Sequence, residues 1–403
     1  MECVKMVDVY NPYEKYGLRR VINAATCLTR LGGSMALPEV FDAMEDASKS
    51  FVQIPELQAW AGRKIAEATG AEAGLPTAGA NNALMLAAAA CIMKGTELDE
   101  YDPLEPETWS HIILRLPAHT EGLKTEFLVQ KNDRNIYDHA VECAGGRLLE
   151  VGKEEGATEA ELDEAFDPER TAAYYYTVRS AKDSLPLETV VRVAHRHGVP
   201  VIVDAAAELP PREKLTQYIQ EGADLVIFSG GKHISGPNNS GILAGRKDLI
   251  KLAHLQAYPF HGVGRASKMS RETIVGFVSA LELYREKDEE GHFNRWEEEA
   301  ERISEQLGDI PGVKTGVTYQ KTVEEEAPMA PLCYLELDEK AAGMSGMELV
   351  KTLRDGDPSI ETLYEPNFLL EKYEGKVTIN PQYLLEGDAD IVVSRIRKIL
   401  TKK

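Results

Sequence analysis

VIVDAAAELPP (Val201–Pro211) and DLVIFSGGKHISGP (Asp224–Pro237) are the two stretches that decide the reading of this chain. Each opens on an apolar run, Val201-Ile202-Val203 and Leu225-Val226-Ile227, as expected of strands buried on both faces of a mainly parallel sheet. The first run ends in Asp204, and the second in Ser229-Gly230-Gly231-Lys232, which places the lysine 28 residues after the aspartate. Open α/β sheets gather ligands at the carboxyl ends of their strands, so Asp204 and Lys232 are predicted to meet at one edge.

An amine, a carboxylate and a hydroxyl at that edge match what pyridoxal 5′-phosphate (PLP) requires. Lys232 would hold the cofactor as a Schiff base, Asp204 would keep the pyridine nitrogen protonated, and Ser229 would donate to the phosphate. Gly230 and Gly231 would let the backbone run close to the cofactor, and the small Ala206 would suit one face of the ring. A third piece is Thr77-Ala78-Gly79-Ala80-Asn81, which opens an Ala-rich helix over Asn82–Met93. The unpaired N–H groups of a helix start attract an anion, which adds Gly79, Ala80 and Asn81 to the phosphate pocket. Singly, Asp204 could be a strand-end cap and Lys232 an ordinary loop lysine. Their order, spacing and Gly-rich setting favour the cofactor site.

Outward from this core, strand-like runs alternate with helices: Glu126–Gln130, Arg147–Val151, Ala172–Val178, Pro200–Asp204, Asp224–Phe228 and Gly241–Ala244. That alternation predicts an α/β fold with helices on both sheet faces. From about Tyr258 the texture changes to a Gly/His-rich loop, two long helices and further strands, which reads as a smaller α+β domain. The expected division is a large domain over residues 51–258 and a small one formed by residues 1–50 and 259–403.

Composition narrows the function classes. The 403 residues carry a formal charge of −21, which argues against a nucleic-acid partner. Cys3, Cys27, Cys91, Cys143 and Cys333 are scattered, with no CxxC pair and no metal-ligand spacing, and read as buried thiols in a reducing compartment. No apolar run reaches membrane-spanning length and the first 20 residues hold no apolar signal core, so a cytoplasmic location is expected. ELDEYDPLEPETW reads as an exposed insertion, the acidic run Asp288–Glu301 as a solvated helix face, and His195 and His197 as structural.

Taken together, the motifs resemble the selenocysteine-synthase-like branch of the fold-type-I PLP enzymes, and especially the D-glucosaminate-6-phosphate ammonia-lyase family. The resemblance runs through RRVINAATCLTRLGGS (Arg19–Ser34), FVQIPELQAWAG (Phe51–Gly62), TGAEAGLPTAGANNALMLAAAA (Thr69–Ala90), NIYDHAVECAGGRLLEVG (Asn135–Gly152) and GVGRASKMSRE (Gly262–Glu272). It implies the seven-stranded type of sheet and a homodimer or higher homo-oligomer. It also implies Lys232 as the Schiff-base lysine, Asp204 as the pyridine partner, Gly79, Ala80 and Ser229 as the phosphate pocket, and Gly32-Gly33-Ser34 as part of the substrate entrance. Two departures stand out. Lys131-Asn132-Asp133-Arg134 replaces the family's His-Arg step, keeping only Arg134, and Leu363-Tyr364 stands where an arginine is common. Arg265 and Lys268 remain as candidate anion contacts, with solvated loop charges as the alternative.

The expected chemistry is β-elimination with deamination of a small polar amino acid or amino sugar acid, possibly a phosphorylated one, to a 2-keto product. The rivals are a selenium transferase, an aminotransferase, a racemase, and a degenerate fold member kept as a scaffold.

Overall fold

The computed structural model describes residues 11–105, 110–178, 184–321, 328–365 and 374–401. In chain order its strands are β1 (Val21–Asn23), β2 (Ala73–Thr77), β3 (Glu126–Gln130), β4 (Arg147–Val151), β5 (Thr171–Thr177), β6 (Val201–Asp204), β7 (Leu225–Ser229), β8 (Gly241–Gly245), β9 (Val313–Gln320), β10 (Ala330–Leu337), β11 (Ser359–Glu361), β12 (Leu363–Tyr364) and β13 (Val377–Ile379). The chain divides into two compact units, Ser34–Lys287 and a second formed by Met1–Gly33 with Asp288–Lys403.

The larger unit is built on a seven-stranded sheet in the order β2-β8-β7-β6-β5-β3-β4. Strands β4, β3, β5, β6 and β7 run parallel, and β8 is antiparallel to both of its neighbours. One face carries the helices Ala80–Met93 and Lys247–Gln256 over Leu75, Ile202, Leu225 and Leu243. The other buries Ile65, Tyr174, Val203 and Val226 beneath Ile54–Thr69, Leu187–Arg196 and Arg271–Glu286. The alanine run Ala87–Ala90 is fully buried and lets its helix lie close to the sheet. This is the α/β architecture that the apolar strands predict.

β2 escapes the sequence pattern because AGLPT contains both a glycine and a proline. As an edge strand it pairs only with β8, so the missing N–H of Pro76 is tolerated. Gly62 and Gly74 mark where helix Ile54–Thr69 meets this strand: a Cβ on Gly62 would lie 2.1 Å from the Gly74 carbonyl oxygen.

The smaller unit holds a four-stranded antiparallel sheet, β12-β13-β10-β9, and a parallel pair, β1-β11. Helices Glu289–Leu307, Gly346–Asp355 and Asp388–Leu400 cover a core that includes Ile303, Leu335, Leu353, Ile379 and Ile396.

The unit boundaries differ from the expected 50/51 and 258/259. Helix Pro38–Ser48 packs on helix Arg271–Glu286, where a Cβ on Gly276 would strike the Met44 side chain at 2.5 Å and Arg271 Nε donates to the Ala47 carbonyl at 3.1 Å. Both helices therefore belong to the larger unit.

The acidic segment after Gly95 is also more anchored than expected. Glu97–Glu100 forms a 3-10 turn with Leu98 fully buried, and Lys251 Nζ donates to the Asp99 carbonyl. Residues 106–109 of that segment lie outside the described residues, as does Cys3. Cys91 and Cys333 are buried, whereas Cys143 is exposed and Cys27 partly so. No described helix is long and apolar enough to cross a membrane.

Candidate active site

Side chains alternate along a strand, so Tyr175 and Thr177 of β5, Ile202 and Asp204 of β6, and Leu225, Ile227 and Ser229 of β7 fall on one face. That face is the one covered by helix Ala80–Met93. Register sets Thr177 opposite Asp204, and Asp204 opposite Ile227. The Asp204 carboxylate accepts from the Ala206 N–H at 3.0 Å through Oδ1 and from the Tyr175 hydroxyl at 3.4 Å through Oδ2. Burial pushes its pKa above the usual carboxylate range, opposed by the Ala206 N–H, the positive charge of Lys232 and the Tyr175 hydroxyl. A carboxylate held this way keeps its charge best opposite a cation.

Beyond Ser229 the chain turns back on itself through Gly230 N–H to the Ser240 carbonyl and Gly236 N–H to the Gly230 carbonyl, both 2.9 Å. Ser235 N–H closes on the Lys232 carbonyl at 2.9 Å, with Ser235 in the left-handed region at φ 58°. The two glycines answer to protein neighbours. A Cβ on Gly230 would lie 2.3 Å from Ser240 Oγ and 2.9 Å from the Phe277 ring, and one on Gly231 would lie 2.6 Å from Asn238 Cα. These protein neighbours are reason enough for glycine at both positions. Ser34 anchors the same loop, since its N–H and its hydroxyl both donate to the Gly231 carbonyl at 3.0 Å. Gly33 belongs to the other unit, where its N–H bonds the Leu28 carbonyl at 3.1 Å.

Gly79 caps the helix Ala80–Met93 at φ 95°, a conformation that favours glycine, and no side chain caps its N-terminus. β8 passes directly beneath, and a Cβ on Gly241 would lie 2.7 Å from the Gly79 carbonyl carbon. Asn82 Oδ1 accepts from the Ala78 N–H at 3.1 Å, while its buried Nδ2 has no hydrogen-bond partner among the described residues. Asn81 is exposed. The uncapped turn thus presents backbone donors suited to an anion.

The peripheral candidates separate. Arg134 is held by Asp138 at 2.6 Å and Glu150 at 2.7 Å, so its guanidinium serves the loop rather than standing open for a substrate. Arg265 lies 5.3 Å from the centre of the Tyr258 ring, and Lys268 is exposed. Neither has a carboxylate within ion-pair distance among the described residues. In the smaller unit Arg30 and Arg354 converge on Glu361, at 2.7 and 3.3 Å. His195 and His197 are structural, paired with Asp224 at 2.8 Å and Asp163 at 3.0 Å. Tyr175, Thr177 and Asn135 were not singled out from sequence. Tyr175 and Thr177 carried only the signal of alternate positions on one strand, and Asn135 only its place at the head of NIYDHAVECAGGRLLEVG.

The L-seryl-tRNA selenium transferase (SelA) family model matches residues 138–316. The D-glucosaminate-6-phosphate ammonia lyase of Salmonella typhimurium is 30% identical over 398 residues, covering 96% of this chain and 98% of its own. A solved structure of D-glucosaminate-6-phosphate ammonia-lyase superposes with a TM-score of 0.81 at 28% identity, over 97% of this chain and 98% of that one. The chain belongs to the SelA-like family of fold-type-I PLP-dependent enzymes. Another SelA-like relative, the 5′-C-glycyluridine monooxygenase-decarboxylase of a Streptomyces species, is 31% identical over 397 residues, 96% of this chain and 92% of its own. An alanine–glyoxylate aminotransferase from Nostoc, 16% identical with a TM-score of 0.54, shares the fold alone. The SelA-like chain is therefore an enzyme, and its sheet is that of fold type I.

Proposed function

We propose that this SelA-like enzyme is a PLP-dependent lyase that removes a β-substituent and ammonia from a small polar amino acid or amino sugar acid, leaving a 2-keto product. The observation that carries the proposal is the placement of the part-buried Asp204 carboxylate at the end of β6 and of Lys232 just past the end of the neighbouring β7, where the lysine's positive charge bears on it. The residues present fit PLP. Asp204 would hold the ring nitrogen, Lys232 the carbonyl carbon, and Ser229 with the uncapped N–H groups of Ala80 and Asn81 the phosphate, with Ala206 beside the ring, while the Gly79 N–H is already given to the Thr77 carbonyl at 2.8 Å. When bound, PLP supplies a carbonyl for the substrate amine and a ring that withdraws electrons from the α carbon.

The chain's own contributions follow from position. Lys232 would serve as the base that takes the α proton, and Asp204 would keep the ring-nitrogen proton in place. Burial of the Asp204 carboxylate strengthens that pairing. Among the described residues, Arg265 and Lys268 are the candidate cations for a substrate carboxylate or phosphate. A homo-oligomer is proposed as well, supported by the exposed Met35, Leu37, Phe41 and Phe51 of the larger unit, Phe51 being 94% exposed. A cytoplasmic location remains part of the same proposal.

D-Glucosaminate 6-phosphate is the first probe, with ammonia and 2-keto acid measured together in stoichiometric amounts. The Streptomyces relative gives a second reading specific weight. Oxygen consumption with carbon dioxide release, and no 2-keto acid, would establish oxidative decarboxylation and sink the lyase.

A further inference from the structure

Glutamine is mostly found at the surface, because a buried amide must find hydrogen-bond partners away from water. The larger unit buries two beside one loop: Gln58 is 2% exposed and Gln256 0%. Gln58, on helix Ile54–Thr69, donates through Nε2 to the Tyr258 carbonyl at 2.7 Å and accepts at Oε1 from His254 Nε2 at 3.0 Å. Gln256, at the end of helix Lys247–Gln256, takes the Gly264 N–H on its carbonyl at 2.9 Å and the Val263 N–H on its Oε1 at 3.1 Å. These bonds close residues 257–264 into a loop, with Ala257 bridged to Gly264. The His254 ring meets the loop's Phe260 edge-on, 5.7 Å between centres. Arg265 follows the closure directly. Its N–H bonds the Gly262 carbonyl at 3.0 Å, and its guanidinium lies 5.3 Å from the centre of the Tyr258 ring.

We propose that Gln58 and Tyr258 are positioning residues that set the Arg265 guanidinium for an anionic group of the substrate, a carboxylate or a phosphate. The inference rests on the reading of Arg265 as a substrate contact. A free arginine side chain samples many rotamers, and ordering it on binding costs affinity. An aromatic ring against the guanidinium removes part of that cost in advance and leaves its N–H donors for an anion. The ring can do this only if its own backbone is fixed. The bond from Gln58, 200 residues away in the chain, supplies that fixing, and His254 holds the Gln58 amide in the orientation that makes it. A leucine at position 58 would fill the space and leave the Tyr258 carbonyl without this donor, which is a physical reason for glutamine on a buried helix face.

The test uses the full-length, PLP-loaded enzyme with D-glucosaminate 6-phosphate and with D-glucosaminate, and reads kcat, KM and melting temperature. Arg265→Ala is expected to raise KM roughly 10- to 100-fold, the scale of a charge-assisted contact. Tyr258→Leu and Gln58→Met should each raise it roughly three- to tenfold with kcat little changed, and Tyr258→Phe, which keeps the ring, should match the wild type. In an Arg265→Ala background neither Tyr258→Leu nor Gln58→Met should raise KM further, because both act only through that guanidinium. A rise confined to the phosphorylated compound assigns the phosphate to Arg265, and a rise with both compounds assigns the carboxylate. If Gln58→Met lowers the melting temperature, the contrast between Tyr258→Leu and Tyr258→Phe carries the test alone. An unchanged KM in Tyr258→Leu, or an equal rise in the Arg265→Ala background, would overturn the positioning role and leave the proposed function standing. A wild type inert toward both compounds would instead overturn it together with the function it rests on.

Discussion

Two aspartates sit at opposite ends of the β6/β7 pair and are treated in opposite ways. Asp224, ahead of β7, accepts from His195 Nε2 at 2.8 Å, Arg246 Nη1 at 3.0 Å and the Val201 N–H at 2.8 Å. Asp204, at the end of β6, takes one N–H and a long hydroxyl bond, and burial leaves its pKa raised. One carboxylate spends its hydrogen bonds on holding the chain together, and the other has acceptor capacity left over. A buried acid is therefore read by what its oxygens already touch, since burial alone does not separate structure from catalysis.

The sharpest way to break this contrast is to exchange the two losses. Asp204→Asn should cut product formation roughly 10²- to 10³-fold, the scale of removing one preorganised electrostatic contact, with little change in melting temperature. Asp224→Ala should do the reverse, costing about 2 kcal/mol of stability by leaving the Val201 N–H unpaired, while turnover at a permissive temperature survives. If both variants lose stability alike, the division of labour fails.

A buried base offers a check through pH. Burial lowers the pKa of His254 from 6.5 to about 4, against a weaker opposing pull from Asp102. Its ring donates to Gln58 Oε1 at 3.0 Å, and Gln58 passes a bond to the Tyr258 carbonyl at 2.7 Å. The unfolded chain takes up a proton below pH 6.5 that the folded chain refuses until about 4, so stability falls as pH drops through that window. The full loss is about 3 kcal/mol at 1.36 kcal/mol per pKa unit. Denaturant midpoints of wild type and His254→Gln from pH 7 to 4 should diverge progressively, and parallel curves would contradict the assignment.

Arg134 gives the smallest effect. Paired with Asp138 through Nε and with Glu150 through Nη1, it should act in the loop, so Arg134→Ala is expected to cost about 1 kcal/mol or less and leave KM unchanged. A large rise in KM would return it to the substrate site.

The strands of the sheet's centre, and with them the positions of Asp204 and Lys232 at the carboxyl ends of β6 and β7, were legible because apolar runs are local signals. β2 was not, since Gly74 and Pro76 contradict strand propensity and only its edge position explains them. The roles of Gly230 and Gly231 were also hidden, because Ser240, Phe277 and Asn238 approach them from elsewhere in the chain. Arg134 looked available in sequence, and only the fold brings Glu150 to it. The unit boundary followed the contact between helix Pro38–Ser48 and helix Arg271–Glu286, a tertiary fact with no composition signal.

The central claim is that Lys232 holds the cofactor. Its most direct test is borohydride reduction of the PLP-loaded protein followed by peptide mass mapping. The account predicts a phosphopyridoxyl adduct on the peptide containing Lys232 and none in Lys232→Ala; an adduct on a different lysine, or an equal adduct in the variant, would contradict it.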